Sequence, residues 1–264
     1  MKRFRWLIVV PLLWGGVFLV LALFLRGSGA YEVFMRTELE LATSVALLGG
    51  LAAAFAFDRG EYLRRAWLFV AAAIVLAWST AYLSPLGFEA MGETPLLVLR
   101  AVLVSAGNLS MIVGVYMLAR TWKVAGLTLP GRALGKVAVV AATILLAFGL
   151  AGPGIVTFGG RLLGGDLTAA AGAASAFGDM VTLILIGPLL LTALALRGGL
   201  FVWPWALLTT SCVAWLFYDS FYTIGPMLGL SQEAARIGYE TCRALGCTFG
   251  AAAGLAQRFI AVGR

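Results

Sequence analysis

Histidine is absent from the 264 residues. That excludes His-ligated haem, His-ligated metal and Ser-His-Asp chemistry. Cysteine occurs three times, with no C-x-x-C pair, so neither a zinc site nor a disulfide framework is expected. Cys242 and Cys247 lie five apart, off a common helix face, and Cys212 falls in another segment. Without a His base none of them is an activated nucleophile. Charged residues make up 12% of the chain, against about 25% in an average soluble domain. Every lysine (Lys2, Lys123, Lys136) lies outside the long apolar runs, so a retinal Schiff base has no anchor. Glycine stretches such as GGRLLGGD lack the G-K-[ST] of a phosphate loop and read as connections. No cofactor, metal or nucleic acid is expected.

What remains is apolar. Hydrophobic residues account for 62% of the chain and mean hydropathy is +0.99. Runs of about 18–25 apolar residues are long enough to cross a bilayer. Eight are read: Trp6–Leu25, Glu40–Phe57, Ala66–Leu83, Leu96–Ala119, Val137–Val156, Ala176–Leu196, Phe201–Tyr218 and Tyr239–Phe259. The seventh could extend to Ile224. The fold class expected is an all-α polytopic membrane bundle forming one integral domain, 1–264, in a bacterial inner membrane.

The net charge is +7, and its placement carries the information. Lys2, Arg3, Arg5, Arg59, Arg64, Arg65, Arg120, Lys123, Arg132, Lys136, Arg197, Arg258 and Arg264 fall on one side of the spans, whereas Arg26, Arg36, Arg161 and Arg236 fall on the other. The positive-inside rule then puts both termini in the cytoplasm. MKRFR, an apolar run and GSGA also fit a cleaved signal peptide, though the run is long for one.

The sequence predicts an internal duplication. Glu40-Leu-Ala-Thr43 matches Asp179-Met-Val-Thr182, and Gly49 matches Gly187. Arg59-Gly60 matches Arg197-Gly198, with Trp67 and Trp205 each eight residues after the arginine. RAVLVSAG from Arg100 matches RALGCTFG from Arg243. Four spans return the chain to its starting side, so the repeat implies parallel halves, 1–130 and 131–264, of the kind some transporters contain.

The charges inside the spans form the candidate site. Arg100 and Arg243 lie about one turn, roughly 6 Å, inside the extracytoplasmic boundary. Glu40, Asp179, Asp219 and Glu240 fall near the same level. Arg236, Glu240, Arg243 and Cys247 share one helix face. Charges at that depth should turn inward and pair, so Arg100 and Arg243 are expected to pair with Glu40, Asp179, Asp219 or Glu240. Such a cluster is either a structural lock between the halves or a cavity for a small polar or amphipathic ligand. A proton path would need polar groups further in, and there Asn108 and Ser110 are nearly alone. Trp78, Tyr82, Trp215 and Tyr218 lie at the same level, as an interfacial belt or as pocket aromatics. Gly246, Gly250 and Gly254 allow close helix packing.

FGDMVTLILIGPLLLTALALRGG, followed by WPWALL and WLFYD, resembles the multi-span sensor domains of bacterial histidine kinases and diguanylate cyclases. The matching positions are Gly178, Asp179 and Pro188. The resemblance implies ligand sensing without catalysis, and a membrane or cytoplasmic signalling partner. The alternatives are a small-molecule transporter or accessory subunit of a membrane complex, and an enzyme in which a carboxylate acts on a lipid or isoprenoid.

Overall fold

An uninterrupted apolar run needs no tertiary partner to be helical in a membrane, because only a helix satisfies its own backbone there. The first run obeys this, and the computed structural model has α1 at Trp6–Leu25. The structure describes residues 4–83, 92–197, 199–225 and 228–263, without the side chains of residues 81, 219, 223 and 224. Lys2, Arg3, Gly198, Arg264 and the side chain of Asp219 therefore lie outside the described set.

The remaining helices are α2 (Tyr31–Ala54), α3 (Tyr62–Ser79), α4 (Glu93–Ala119), the single turn α5 (Thr121–Val124), α6 (Ala133–Leu163), α7 (Ala170–Ala195), α8 (Val202–Ile224) and α9 (Gln232–Val262). No strand occurs among the described residues. Seven helices are long and apolar enough to cross a membrane, which is compatible with a multi-pass membrane protein. The eighth long helix, α8, has 23 residues.

Several helices outrun their apolar stretches. Whereas the hydropathy reading opens the second span at Glu40, α2 begins at Tyr31. Its first turns carry Glu32, Arg36, Glu38 and Glu40, and helix propensity continues where hydropathy stops. Likewise α9 begins at Gln232, not Tyr239. Ser231 caps it, its Oγ accepting the Ala234 N–H at 3.2 Å. At 31 residues, α6 and α9 are each about 46 Å long, well beyond the ~30 Å hydrocarbon layer.

Six helices close a ring. α2 packs on α3, α3 on α4, α4 on α7, α7 on α8, α8 on α9, and α9 back on α2. α1 lies outside, chiefly against α9; α6 lies outside, against α7 and α8. Glycine sets the close approaches. A Cβ on Gly49 would sit 2.5 Å from the Ala251 Cα, and Gly254 faces the Gly49 carbonyl across the same α2–α9 contact. On the α8 side, a Cβ on Gly246 would meet the Trp215 indole at 2.8 Å, and one on Gly250 would meet the Ser211 hydroxyl at 3.2 Å.

The main core fills the end of the bundle that carries Arg5, Arg59, Arg120 and Arg197. Trp67, Leu118, Leu189 and Trp205 are fully buried there. This basic end also holds a polar knot. The last carbonyls of a helix lack intrahelical donors, and three helices supply them for α4. Tyr62 Oη donates to the Met117 carbonyl at 2.8 Å, Trp205 Nε1 to Leu118 at 3.0 Å, and Thr192 Oγ1 to Ala119 at 2.6 Å.

Candidate functional site

At the end opposite Arg5, Arg59, Arg120 and Arg197, packing gives way to paired charge. Arg243 on α9 is buried, with Nη2 3.3 Å from Glu38 Oε2 and Nη1 paired to Glu240 one turn earlier. Glu38 takes a second, longer hydrogen bond from Trp14 Nε1 at 3.4 Å, which ties α1 to α2. All three charged side chains are about nine-tenths removed from solvent. Two carboxylates thus share one guanidinium, in a place where an unpaired charge is costly.

Above this centre the pairs continue toward solvent. Arg236 holds Glu32 with two bonds, at 2.7 and 2.9 Å, and Arg26 Nε meets Glu233 at 2.7 Å. α1, α2 and α9 are therefore joined by a ladder of ion pairs, dry at its lowest rung. Exposed rungs of this kind contribute little each.

The expected partners distribute differently. Arg243 and Glu240 come together as read. Glu40 turns outward and pairs with Arg36 on its own helix at 3.3 Å, half exposed. Glu38, two residues earlier and on the inward face, takes the place expected of Glu40. Residue 38 lies before the apolar stretch that opens at Glu40, within the first turns of α2. Arg100 is half-buried and makes no ion pair among the described residues. Its helix is set high. Asn108 on α4 packs against Gly178 and donates to the Ala174 carbonyl at 3.2 Å, so Arg100, about 12 Å further out, lies near the start of α7. Arg243, which opens the similar motif, sits deep because Ala251, eight residues on, meets Gly49.

Asp179 belongs to a second centre. It accepts a hydrogen bond from Ser175 Oγ at 3.4 Å. It also lines a pocket of about 250 Å³ between α6, α7 and α8, with Thr168, Ser175, Phe158, Tyr218 and Tyr222. Gly172 opens this wall: a Cβ there would press on the Phe158 ring at 2.8 Å. At the rim, Asp166 Oδ1 accepts the Thr168 N–H at 3.0 Å, and Arg161 Nη2 reaches Asp166 Oδ2 at 2.6 Å. The Thr168 and Arg161 bonds hold the Asp166 carboxyl below its usual range.

Of the expected aromatics, only Tyr218 lines this pocket. Tyr218 stacks edge-on with Trp215 and with Tyr239, and Tyr239 with Tyr222, at centroid distances of 5.4–5.6 Å. Trp215 covers Gly246 instead, and Trp78 with Tyr82 form a separate edge-on pair on the α3 side. Cys212 and Cys247 are buried and unpaired. No group of three or more His, Cys, Asp or Glu placed to hold a metal occurs among the described residues.

The chain matches no protein-family model, no curated protein and no solved structure.

Proposed function

We propose that the protein is a sensor-like binding module without catalytic output. In this reading it spans a bacterial inner membrane eight times, with both termini in the cytoplasm. Its ligand site is the Asp179 pocket in the extracytoplasmic half, and the Glu38–Glu240–Arg243 centre is the lock beside it.

The observation that carries this is the make-up of the pocket. One carboxylate stands among Ser175, Thr168 and the rings of Tyr218, Tyr222 and Phe158. A carboxylate beside aromatic faces suits a small organic cation, which the rings attract as well. The volume lies just under the ~300–1,000 Å³ of drug-sized sites, which favours a ligand of amine or quaternary-ammonium size.

Three further features support the reading. The main core fills the opposite end of the bundle, so the pocket has a packed floor. The basic residues gather at that packed end, in keeping with a cytoplasmic face. Exchanging α2, α3 and α4 for α7, α8 and α9 leaves the order of neighbours in the ring unchanged, which favours the duplication; α1 and α6 depart from it.

Native mass spectrometry of gently purified protein tests the proposal, alongside Asp179→Asn and the double variant Arg100→Ala/Arg243→Ala. A small bound molecule retained by the wild type and lost in Asp179→Asn is the expected result. Loss only in the arginine double variant would move the site to the ion-pair centre. Protein that carries nothing but ordinary lipid in every form would overturn the binding role. Accumulation of the bound molecule inside proteoliposomes would turn a sensor into a transporter.

A further inference from the structure

At the basic end a second and larger hollow opens, and the binding reading does not use it. It has a volume of about 560 Å³ and lies where α4, α5, α6 and α7 meet. Val137, Val140, Ile144, Leu185 and Leu191 make its walls almost wholly apolar. Polar groups stand only around its mouth.

Arg120 and Lys136 are the two cations there, with Trp122 between them in the chain. The Arg120 guanidinium lies over the Tyr116 ring, 5.3 Å from its centroid, and donates to Tyr116 Oη at 2.7 Å. That contact fixes the arginine at the mouth while using one of its five N–H donors. Neither Arg120 nor Lys136 has an ion-pair partner among the described residues. Nor is one near in sequence: residues 120–136 hold Arg120, Lys123, Arg132 and Lys136 and no acid. The other basic loop at this end differs. Residues 58–65 interleave Asp58 and Glu61 with Arg59, Arg64 and Arg65.

We propose that this groove is a binding site for one anionic phospholipid, its phosphate held between Arg120 and Lys136 and an acyl chain laid along Val140, Ile144 and Leu185. The chemistry is complementary throughout. An apolar slot without a polar wall suits a hydrocarbon chain and little else. The distance from Lys136 to Ile144 along α6 is about 12 Å, so the chain runs toward the bilayer interior from a head group at the level that tryptophan favours. Two uncompensated cations at the rim select a negative head group. The site rests on membrane embedding alone and is independent of the Asp179 pocket.

The test is lipid retention by the full-length protein in mild detergent, titrated with phosphatidylglycerol or phosphatidylcholine of the same chains and read by native mass spectrometry. At about 1 kcal/mol per basic residue, two cations predict roughly 30-fold tighter retention of phosphatidylglycerol. Arg120→Ala/Lys136→Ala should bring the two lipids to near parity. Arg59→Ala/Arg65→Ala removes the same charge from the same end and should leave the preference standing. Val140→Trp fills the slot, keeps every charge, and should cut retention of phosphatidylglycerol at least tenfold. Asp179→Asn should change nothing here. Equal retention of the two lipids by the wild type would overturn the site. So would a loss in Arg59→Ala/Arg65→Ala as large as in Arg120→Ala/Lys136→Ala.

Discussion

Arg243 is the side chain whose removal should matter most. Its loss leaves Glu38 and Glu240 facing each other in a dry site, with Trp14 still donating to Glu38. Breaking a buried ion pair from one side costs about 3–5 kcal/mol. Arg258 lies exposed on the same helix, and its removal should cost almost nothing. Arg243→Ala is therefore expected to melt well below Arg258→Ala in the same detergent; equal melting temperatures would show that the centre carries no load. Arg243→Met combined with Glu38→Gln and Glu240→Gln should recover much of the loss, since no charge is then stranded. Half of this centre could be read from the sequence. Glu240 and Arg243 are one turn apart inside a span long enough to cross a membrane and announce themselves. Glu38 did not, because Glu32, Arg36 and Glu40 around it resemble a solvated segment. Trp14 gives no signal at all, as nothing in an apolar run marks which indole turns inward.

At the scale of helices, apolar length was legible and helix length was not. α1 has no charge between Trp6 and Leu25, and its two ends are as read. α2 and α9 run on into charged turns because those turns pair with each other, Arg236 with Glu32 and Arg243 with Glu38. That is a tertiary fact, invisible to a hydropathy window. Register was equally hidden. Arg100 and Arg243 open the same motif, yet Asn108 meets Gly178 whereas Ala251 meets Gly49. A shared motif therefore does not tell how far each helix has slid. The α2–α9 contact itself depends on backbone meeting backbone. Gly49→Leu places a branched side chain against Ala251, with no flexible neighbour to give way. It should destabilise by about 3 kcal/mol, the upper end of the usual cost of overpacking, whereas Gly16→Leu, facing open space on α1, should be tolerated. Comparing the yield of monodisperse protein for the two variants checks this; similar yields would mean the two helices do not approach as described.

The whole molecule is interlocked rather than assembled from finished halves. The C-terminal helix α9 packs between α1 and α2, and α4 packs on α7. The Trp205 indole and the Thr192 hydroxyl, both from the second half, cap the end of α4 in the first. Residues 1–130 made alone should therefore be degraded or aggregate, and the same holds for 131–264. Made together as two chains they should co-purify, because every bond between them is non-covalent and the break falls in the exposed loop after α5. A stable, monodisperse first half on its own would contradict this account.

The knot at the end of α4 also has a mechanical consequence. Three side chains from three helices grip its last carbonyls, while burial along the helix is confined to Gly107 and positions beyond it. Such a helix is a lever clamped at one end. Its free arm runs from Gly107 out to Glu93, about 21 Å, so a tilt of about 5° there swings the tip by about 1.8 Å.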